Sequence, residues 1–202
     1  MTIRVLIAED QELIRTALVT LVGLEPDIDV VAQAEDGAEA VAIAAGTELD
    51  LVVLDIDMPV LDGLSAAEQL AAGHPGLALV MLTSHGRPGY LKRAVQAGAR
   101  GFVTKNVSGT ELAKVIREVH AGGRYLDPDL VADAMFAGEC PLAARELEIL
   151  RLAEDGRPLS GIAKTLSLQE GTVRNYMSAA ITKLGVDNRM SAVRHARNMG
   201  WL

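Results

Sequence analysis

The amino-acid sequence predicts an α/β fold, a doubly wound parallel sheet of five strands, followed by a linker and a small all-α domain of four helices. Three observations support this prediction. Short apolar runs alternate with helical patterns up to residue 121, only helical patterns follow residue 141, and the net charge changes sign between these two parts. Strands that alternate with helices are typical of a parallel sheet covered on both faces.

The first part of the chain contains five apolar runs of strand length and five amphipathic helical patterns. The runs are Ile3–Ala8, Val30–Ala34, Leu49–Leu54, Leu77–Leu82 and Gly101–Val103. The helical patterns, with apolar residues at spacings of three and four, are Glu12–Val22, Ala38–Ala45, Leu64–Ala72, Tyr90–Ala97 and Thr110–Ala121. Pro88 suits the first turn of the fourth helix, and Gly98 suits its end. We therefore predict a first domain over residues 1–121.

The second part contains helical patterns only. Paired glycines and flanking prolines indicate a linker over residues 122–140, with a short helix inside it. Beyond it, helical patterns cover Ala143–Glu154, Leu159–Leu166, Gln169–Leu184 and Met190–Met199. We therefore predict a second domain over residues 141–202.

Composition excludes several classes of protein. Half of the 202 residues are hydrophobic and 23% are charged, which excludes disordered and collagen-like chains. The single cysteine, Cys140, cannot form an internal disulfide and fits a reducing compartment. The N-terminus lacks the pattern of a signal peptide, and the longest aliphatic run, Leu77–Leu82, is too short to span a bilayer. We expect a cytoplasmic protein with no membrane insertion.

The charge distribution differs between the parts of the chain. The net charge of −8 argues, taken alone, against a nucleic-acid partner. However, residues 1–121 contribute −8, residues 122–140 contribute −3 and residues 141–202 contribute +3. Such asymmetry indicates two domains with different partners.

Polar side chains collect where the predicted strands end. At the ends of the first, third, fourth and fifth strands the sequence has Glu9, Asp10, Asp55, Asp57, Thr83 and Lys105. Ligands of an open parallel sheet bind beyond the carboxyl ends of its strands, where the strand order reverses. Carboxylates that converge there repel one another and require a cation, and oxygen ligands favour Mg²⁺. A carboxylate beside Mg²⁺ and a lysine can accept a phosphoryl group as an aspartyl phosphate.

Two alternatives apply to these residues. An isolated acid at a strand end is most often a helix cap or a solvated turn residue. The Asp-x-Asp pattern also opens the active site of haloacid-dehalogenase-type phosphatases. There it follows the first strand and usually carries Thr or Val two residues later, whereas here it follows the third strand and Pro59 stands at that position. The order of the polar residues along successive strands favours the phosphoacceptor interpretation.

The second domain contains a helix-turn-helix pattern between residues 159 and 184. A short helix, a tight turn near Ser167-Leu168 and a longer helix follow one another. The candidate DNA-contacting residues of the longer helix are Thr172, Arg174, Asn175, Ser178 and Lys183. Arginine favours guanine and asparagine favours adenine in the major groove, and Thr172 lies where a phosphate contact is expected.

These motifs resemble a known family. Residues 1–121 resemble a response-regulator receiver domain, with a flavodoxin-like fold. The run Gly171–Tyr176, followed by Lys183–Val186 and Asn188-Arg189, resembles the LuxR-type DNA-binding domain. Together they are similar to the NarL/FixJ class of two-component response regulators. The stretch Arg87–Tyr90, followed by Arg93-Ala94, is most similar to DesR-type regulators.

The resemblance implies a role for each site residue. Asp55 is the expected phosphoacceptor, and Asp10 and Asp55 are expected to bind Mg²⁺ through their carboxylates. Asp57 is expected to contribute its backbone carbonyl, and Glu9 to act through a metal-bound water. The residues expected to contact the phosphoryl group or to switch with it are Thr83, Lys105 and the aromatic Phe102.

The resemblance also implies the partners. They are a sensor histidine kinase, double-stranded promoter DNA and a second copy of the chain after phosphorylation. The chain would not be an enzyme, although slow self-dephosphorylation is expected. A competing hypothesis is a receiver that acts through protein contacts alone, because Ser160-Gly161 replaces a common Lys-Glu. Ala143 likewise replaces a capping Thr, which should cost about 0.5–2 kcal/mol and fray that helix.

Overall fold

The computed structural model describes residues 2–84, 87–136 and 140–202. These residues form two compact units. One unit comprises the described residues up to Asp133 except Arg87–Tyr90. The other comprises Arg87–Tyr90 together with the described residues from Ala134 to Leu202. The boundary lies inside the predicted linker.

The first unit is a parallel sheet with the strand order β2-β1-β3-β4-β5-β6. The strands are β1 Ile3–Ala8, β2 Ile28–Ala34, β3 Leu51–Asp55, β4 Ala78–Thr83, β5 Gly101–Thr104 and β6 Tyr125–Leu126. Between residues 12 and 136 the helices are α1 Glu12–Gly23, α2 Gly37–Ala44, α3 Gly63–Gly73, α4 Pro88–Gln96, α5 Gly109–His120 and α6 Pro128–Phe136. Strand β3 is buried along its whole length, as expected for a central parallel strand. The predicted doubly wound α/β fold is confirmed.

The sheet has six strands rather than the predicted five. The backbone N–H of Tyr125 donates to the Arg100 carbonyl at 2.9 Å, and that of Asp127 donates to the Phe102 carbonyl at 2.9 Å. Strand β6 has only two residues, and both are half-buried. Backbone hydrogen bonds hold this strand at the sheet edge, and its two residues are too few to form an apolar run of strand length in the sequence. The first part of the predicted linker therefore belongs to the sheet, and the predicted short helix is α6.

The strand order determines where a ligand site can form. Strand β1 lies between β2 and β3, so the order reverses at this point, and the carboxyl ends of β1 and β3 are neighbours. Gly63 allows α3 to start directly against the end of β3. A Cβ atom at Gly63 would lie 1.9 Å from the Asp55 carbonyl oxygen. The Asp62 side chain caps the same helix by accepting the Ser65 N–H at 2.9 Å.

The described residues 140–202 of the second unit contain four helices, α7 Ala144–Ala153, α8 Leu159–Leu166, α9 Glu170–Leu184 and α10 Arg189–Asn198. Its apolar core includes Ile149, Ile162, Val173 and Met177. Ser167 adopts a left-handed conformation with φ of 54°, and the Leu168 N–H donates to the Ala163 carbonyl at 2.9 Å. This turn joins α8 to α9, and the predicted helix-turn-helix is confirmed. Over the described residues, none of the helices has the length and apolar character needed to cross a membrane.

The close contact at Gly63 leads to a stability prediction. Gly63→Ala should lower the free energy of unfolding by about 1–3 kcal/mol, because the added methyl group collides with the β3 backbone. Gly73→Ala, at the other end of α3, is the matched control because a Cβ atom there meets nothing within 4 Å. Chemical denaturation followed by circular dichroism measures both changes. Equal stability of the two variants would contradict the close packing of α3 on Asp55.

Candidate functional site

Three carboxylates converge at the carboxyl end of the sheet. Glu9 directly follows β1, Asp10 follows Glu9, and Asp55 is the last residue of β3. Oxygen atoms of all three carboxylates lie within 4.8 Å of one another. Glu9 and Asp55 are buried, with exposed fractions of 0% and 2%, whereas Asp10 is exposed. Asp57 lies two residues beyond β3 and is also exposed.

Lys105, which directly follows β5, neutralises part of this charge. The Lys105 Nζ atom lies 2.6 Å from Glu9 Oε2 and 3.0 Å from Asp55 Oδ1. The Lys105 backbone N–H donates to the Thr83 carbonyl at 2.8 Å, and Thr83 is the fully buried last residue of β4. Phe102 is buried in β5 and lies opposite Met81 of β4. The structure therefore brings together Glu9, Asp10, Asp55 and Lys105. Thr83 is joined to this group because its carbonyl accepts the backbone N–H of Lys105.

Burial and charge pairing oppose each other in this cluster. Burial raises the pKa of the Asp55 carboxyl, and the Lys105 ammonium only partly offsets it. Burial and repulsion from Asp55 likewise raise the pKa of Glu9 against the hydrogen bond from Lys105. Burial alone would lower the pKa of Lys105, but hydrogen bonds to Glu9 and Asp55 outweigh it, so this pKa is raised. Cations close by therefore favour the ionised form of these carboxyl groups, which burial opposes.

The donor set fits a hard divalent cation. One ammonium faces three carboxylates, which leaves two negative charges when all three are ionised. Carboxylate oxygens are preferred by Mg²⁺, and the exposed Asp10 gives access from solvent.

Sequence reasoning missed Arg15 of α1, which lies behind the acidic pair. The Arg15 side chain is 10% exposed, and its Nη1 atom donates to the Glu9 carbonyl at 2.7 Å. A signal was present in the sequence, because Arg15 has helical spacing with Leu18 and Val22, which pack into the core. A basic residue in an apolar stripe indicates an internal partner.

The second predicted site lies on α9. Arg174, Asn175 and Ser178 are exposed on this helix, and Thr172 is half-buried in its first turn. Arg174 Nη2 donates to Glu170 Oε1 at 2.8 Å, one helical turn away. Since both side chains are largely exposed, this ion pair is weak and leaves the guanidinium free to reorient.

Lys183 is engaged differently from the other α9 candidates. Its Nζ atom donates to Glu146 Oε2 at 2.7 Å, and the Glu146 side chain is only 5% exposed. The same carboxylate oxygen accepts the Ala143 N–H at 2.7 Å, which is one half of a capping box. A DNA contact by Lys183 would therefore require breaking an internal ion pair. Helix α7 also keeps one anchor at its start, although Ala143 has no capping side chain.

Comparison with known proteins gives the family. Residues 5–117 match the family model described as the response regulator receiver domain. Residues 140–196 match the one described as bacterial regulatory proteins, luxR family. The chain belongs to the NarL/FixJ class of response regulators.

Similar response regulators extend over the whole chain. DesR, a transcriptional regulatory protein of Bacillus subtilis, is 40% identical over 199 residues, with 98% of both chains covered. UhpA, a transcriptional regulatory protein of Escherichia coli, is 35% identical, with 98% of this chain and 100% of UhpA covered. The expected resemblance to this class, with DesR among the similar proteins, is confirmed.

Solved structures agree on the fold. The response regulator ChrA of a heme-sensing two-component system is 31% identical with a TM-score of 0.59, covering 100% of this response regulator and 99% of ChrA. RcsB of Salmonella enterica serovar Typhimurium, solved on promoter DNA with a phosphomimetic, has a TM-score of 0.72 at 23% identity, covering 98% and 99%. At that identity, RcsB supports the fold alone.

The Glu146–Lys183 pair leads to a pH prediction. Burial would raise the pKa of Glu146, but hydrogen bonds from Lys183 and Ala143 outweigh it and hold this pKa below its ordinary value of 4.5. The stabilisation is therefore complete above pH 4.5 and is lost as the pH falls through the lower folded-state pKa. Glu146→Gln should lower the free energy of unfolding at pH 7 by about 1–3 kcal/mol and flatten this acid dependence.

Fluorescence of Trp201, the only tryptophan, measures unfolding of the second unit, because Trp201 packs on its core. Glu148→Gln is the matched control, since Glu148 forms an exposed ion pair with Arg145 on the same helix. The assignment of Glu146 fails if both variants show the same pH profile.

Proposed function

We propose that this response regulator is a transcription factor switched by phosphorylation of Asp55, with a sensor histidine kinase as the phosphoryl donor. The observation that carries the proposal is the position of Asp55. It is the buried carboxylate at the end of a central strand, 3.0 Å from a lysine ammonium and grouped with two further carboxylates. An attacking carboxylate with a neighbouring cation is the arrangement that aspartyl-phosphate formation needs.

The transfer step follows from these positions. An oxygen of Asp55 attacks the phosphorus of a phosphohistidine, and the P–O bond forms as the P–N bond breaks and the imidazole leaves. The Lys105 ammonium, already at the Asp55 carboxylate, pairs with the phosphoryl oxygens, and the Thr83 hydroxyl hydrogen-bonds one of them. Glu9, Asp10, Asp55 and the Asp57 carbonyl would hold Mg²⁺, which supplies neutralisation of the transferring charge. The chain accepts one phosphoryl group and loses it by slow hydrolysis, rather than turning over a substrate.

The proposed DNA binding is based on the exposed face of α9. Arg174, Asn175 and Ser178 would contact base edges of promoter DNA, and Thr172 a phosphate. The positive charge of residues 141–202 supports a polyanionic partner, as do the transcriptional regulators among the relatives. Because +3 is a small charge, two copies bound to two half-sites provide the affinity, and phosphorylation promotes that dimer through Thr83 and Phe102. Because the proposed partner is promoter DNA, we propose that the protein acts in the cytoplasm.

The phosphoacceptor is tested by Asp55→Asn. The variant should lose all detectable phosphorylation by a histidine kinase or by acetyl phosphate, because the amide is not a nucleophile of comparable strength. Asp29→Asn, which changes an exposed aspartate of β2, is the control and should be phosphorylated like the parent chain. Phosphate-affinity electrophoresis separates the two forms. Comparable phosphorylation of Asp55→Asn would exclude the proposed acceptor.

The DNA contact is tested by Arg174→Ala. Loss of one base contact should weaken binding to a footprinted promoter by about 1–3 kcal/mol, which is roughly 5- to 150-fold. Arg145→Ala removes the same charge from α7 and should change the affinity by much less. Mobility shifts at fixed salt, with and without phosphorylation, measure both. If phosphorylated protein binds no DNA at all, the receiver acts through protein contacts alone.

A further inference from the structure

We propose that Arg15 is a positioning residue for the acidic pair Glu9-Asp10, and that it sets the affinity of the carboxylate cluster for a divalent cation. The inference rests on the proposed cation site and deepens it. Arg15 touches neither the cation nor the phosphoryl group in this proposal. It acts through the backbone that carries the acids.

The first observation is the burial of a charged side chain. Arg15 is 9% exposed and lies on the face of α1 that packs against the sheet. Burying a guanidinium is unfavourable unless its donors find acceptors. A purely apolar residue would pack this face at less cost, so the charge requires an explanation in its partners.

The second observation is the position of those partners. Arg15 Nη1 donates to the Glu9 carbonyl at 2.7 Å, and Arg15 Nη2 lies 3.0 Å from Glu35 Oε1. The Glu9 backbone N–H donates to the Ala34 carbonyl of β2 at 3.1 Å. The end of β1 is therefore held from two directions, by β2 through the Glu9 N–H and by α1 through the Glu9 carbonyl.

The held carbonyl belongs to the peptide that joins Glu9 to Asp10. Its orientation therefore sets the direction in which the chain continues into Asp10. The Glu9 carboxylate has its own supports, the Lys105 ammonium at 2.6 Å and the Gln11 N–H at 3.2 Å. Asp10 is exposed. Arg15 therefore matters mainly for the placement of Asp10.

The two bonds of Arg15 differ in importance. The Glu35 side chain is 73% exposed, so its ion pair with Arg15 is worth little and Glu35 is readily solvated when the pair is broken. The bond to the Glu9 carbonyl is buried, so its loss leaves an acceptor without a donor. The Glu9 bond is therefore the one that should control the site, and variants can separate the two.

The experiment measures binding of Mg²⁺ alone to the full chain by titration calorimetry, with no phosphoryl donor present. Arg15→Met should weaken Mg²⁺ binding by about 10- to 100-fold, the range known for outer partners of metal ligands. Arg15→Lys, which keeps the charge but not the two-pronged geometry, should lie between Arg15→Met and the parent chain. Glu35→Gln should bind Mg²⁺ within about twofold of the parent chain, since only the exposed pair is lost.

A kinetic measurement gives a second readout. In phosphorylation by acetyl phosphate, Arg15→Met should raise the Mg²⁺ concentration for half-maximal rate. The rate at saturating Mg²⁺ should stay within about threefold, since Asp55 and Lys105 are unchanged and only the cation affinity is altered.

Arg117→Met is the matched control. Arg117 of α5 makes a comparable two-pronged contact, with Nε 2.8 Å from Asp27 Oδ2 and Nη2 2.6 Å from Asp27 Oδ1, away from the carboxylate cluster. It should lower thermal stability without changing Mg²⁺ affinity. Unchanged Mg²⁺ affinity in Arg15→Met would overturn the proposal. A parent chain that binds no Mg²⁺ would instead overturn the proposed cation site, and this inference with it.

Discussion

The ammonium of Lys105, held between the buried carboxylates of Glu9 and Asp55, is the interaction on which the first unit depends. Three carboxylates at one edge of a sheet repel one another, and burial makes that repulsion more costly. The cation that relieves it comes from the end of β5, two strands away from Asp55 in the sheet. The strand order is therefore part of the electrostatics, because it makes β1 and β3 neighbours and places the end of β5 where Lys105 reaches both Glu9 and Asp55.

The uneven distribution of charge along the chain explains why its net charge is a poor guide to its partners. Residues 1–121 carry −8, which suits a cation at the sheet edge, whereas the 62 residues from position 141 carry +3. Within that second unit, ionisable groups are divided between two tasks. Lys183 forms an ion pair with the buried Glu146 inside the unit, whereas the ion pair of Arg174 with Glu170 is exposed and weak. The surface available to DNA is therefore narrower than a count of basic residues suggests.

Much of the fold and the cluster could be predicted, because each depends on local patterns. Apolar periodicity located the strands and helices, and the position of Asp55 at a strand end placed it in the site. Strand β6 could not be predicted, since two half-buried residues held by backbone bonds leave no side-chain pattern. The contact between Lys183 and Glu146 could not be predicted either, because the two residues are 37 positions apart in the sequence. Such pairs depend on tertiary packing that periodicity does not encode.

Strand β6 gives the connection between the units a defined beginning. The Phe102 carbonyl accepts the Asp127 N–H, and Asp127 Oδ1 accepts the Asp129 N–H in the first turn of α6. One residue thus ends the sheet and caps the next helix. Because Phe102 lies on β5 beside the strand that ends in Thr83, a displacement of β5 moves an acceptor to which α6 is bonded through Asp127. The sixth strand therefore links the start of α6 to the position of β5, the strand that directly precedes Lys105 of the proposed phosphoryl site.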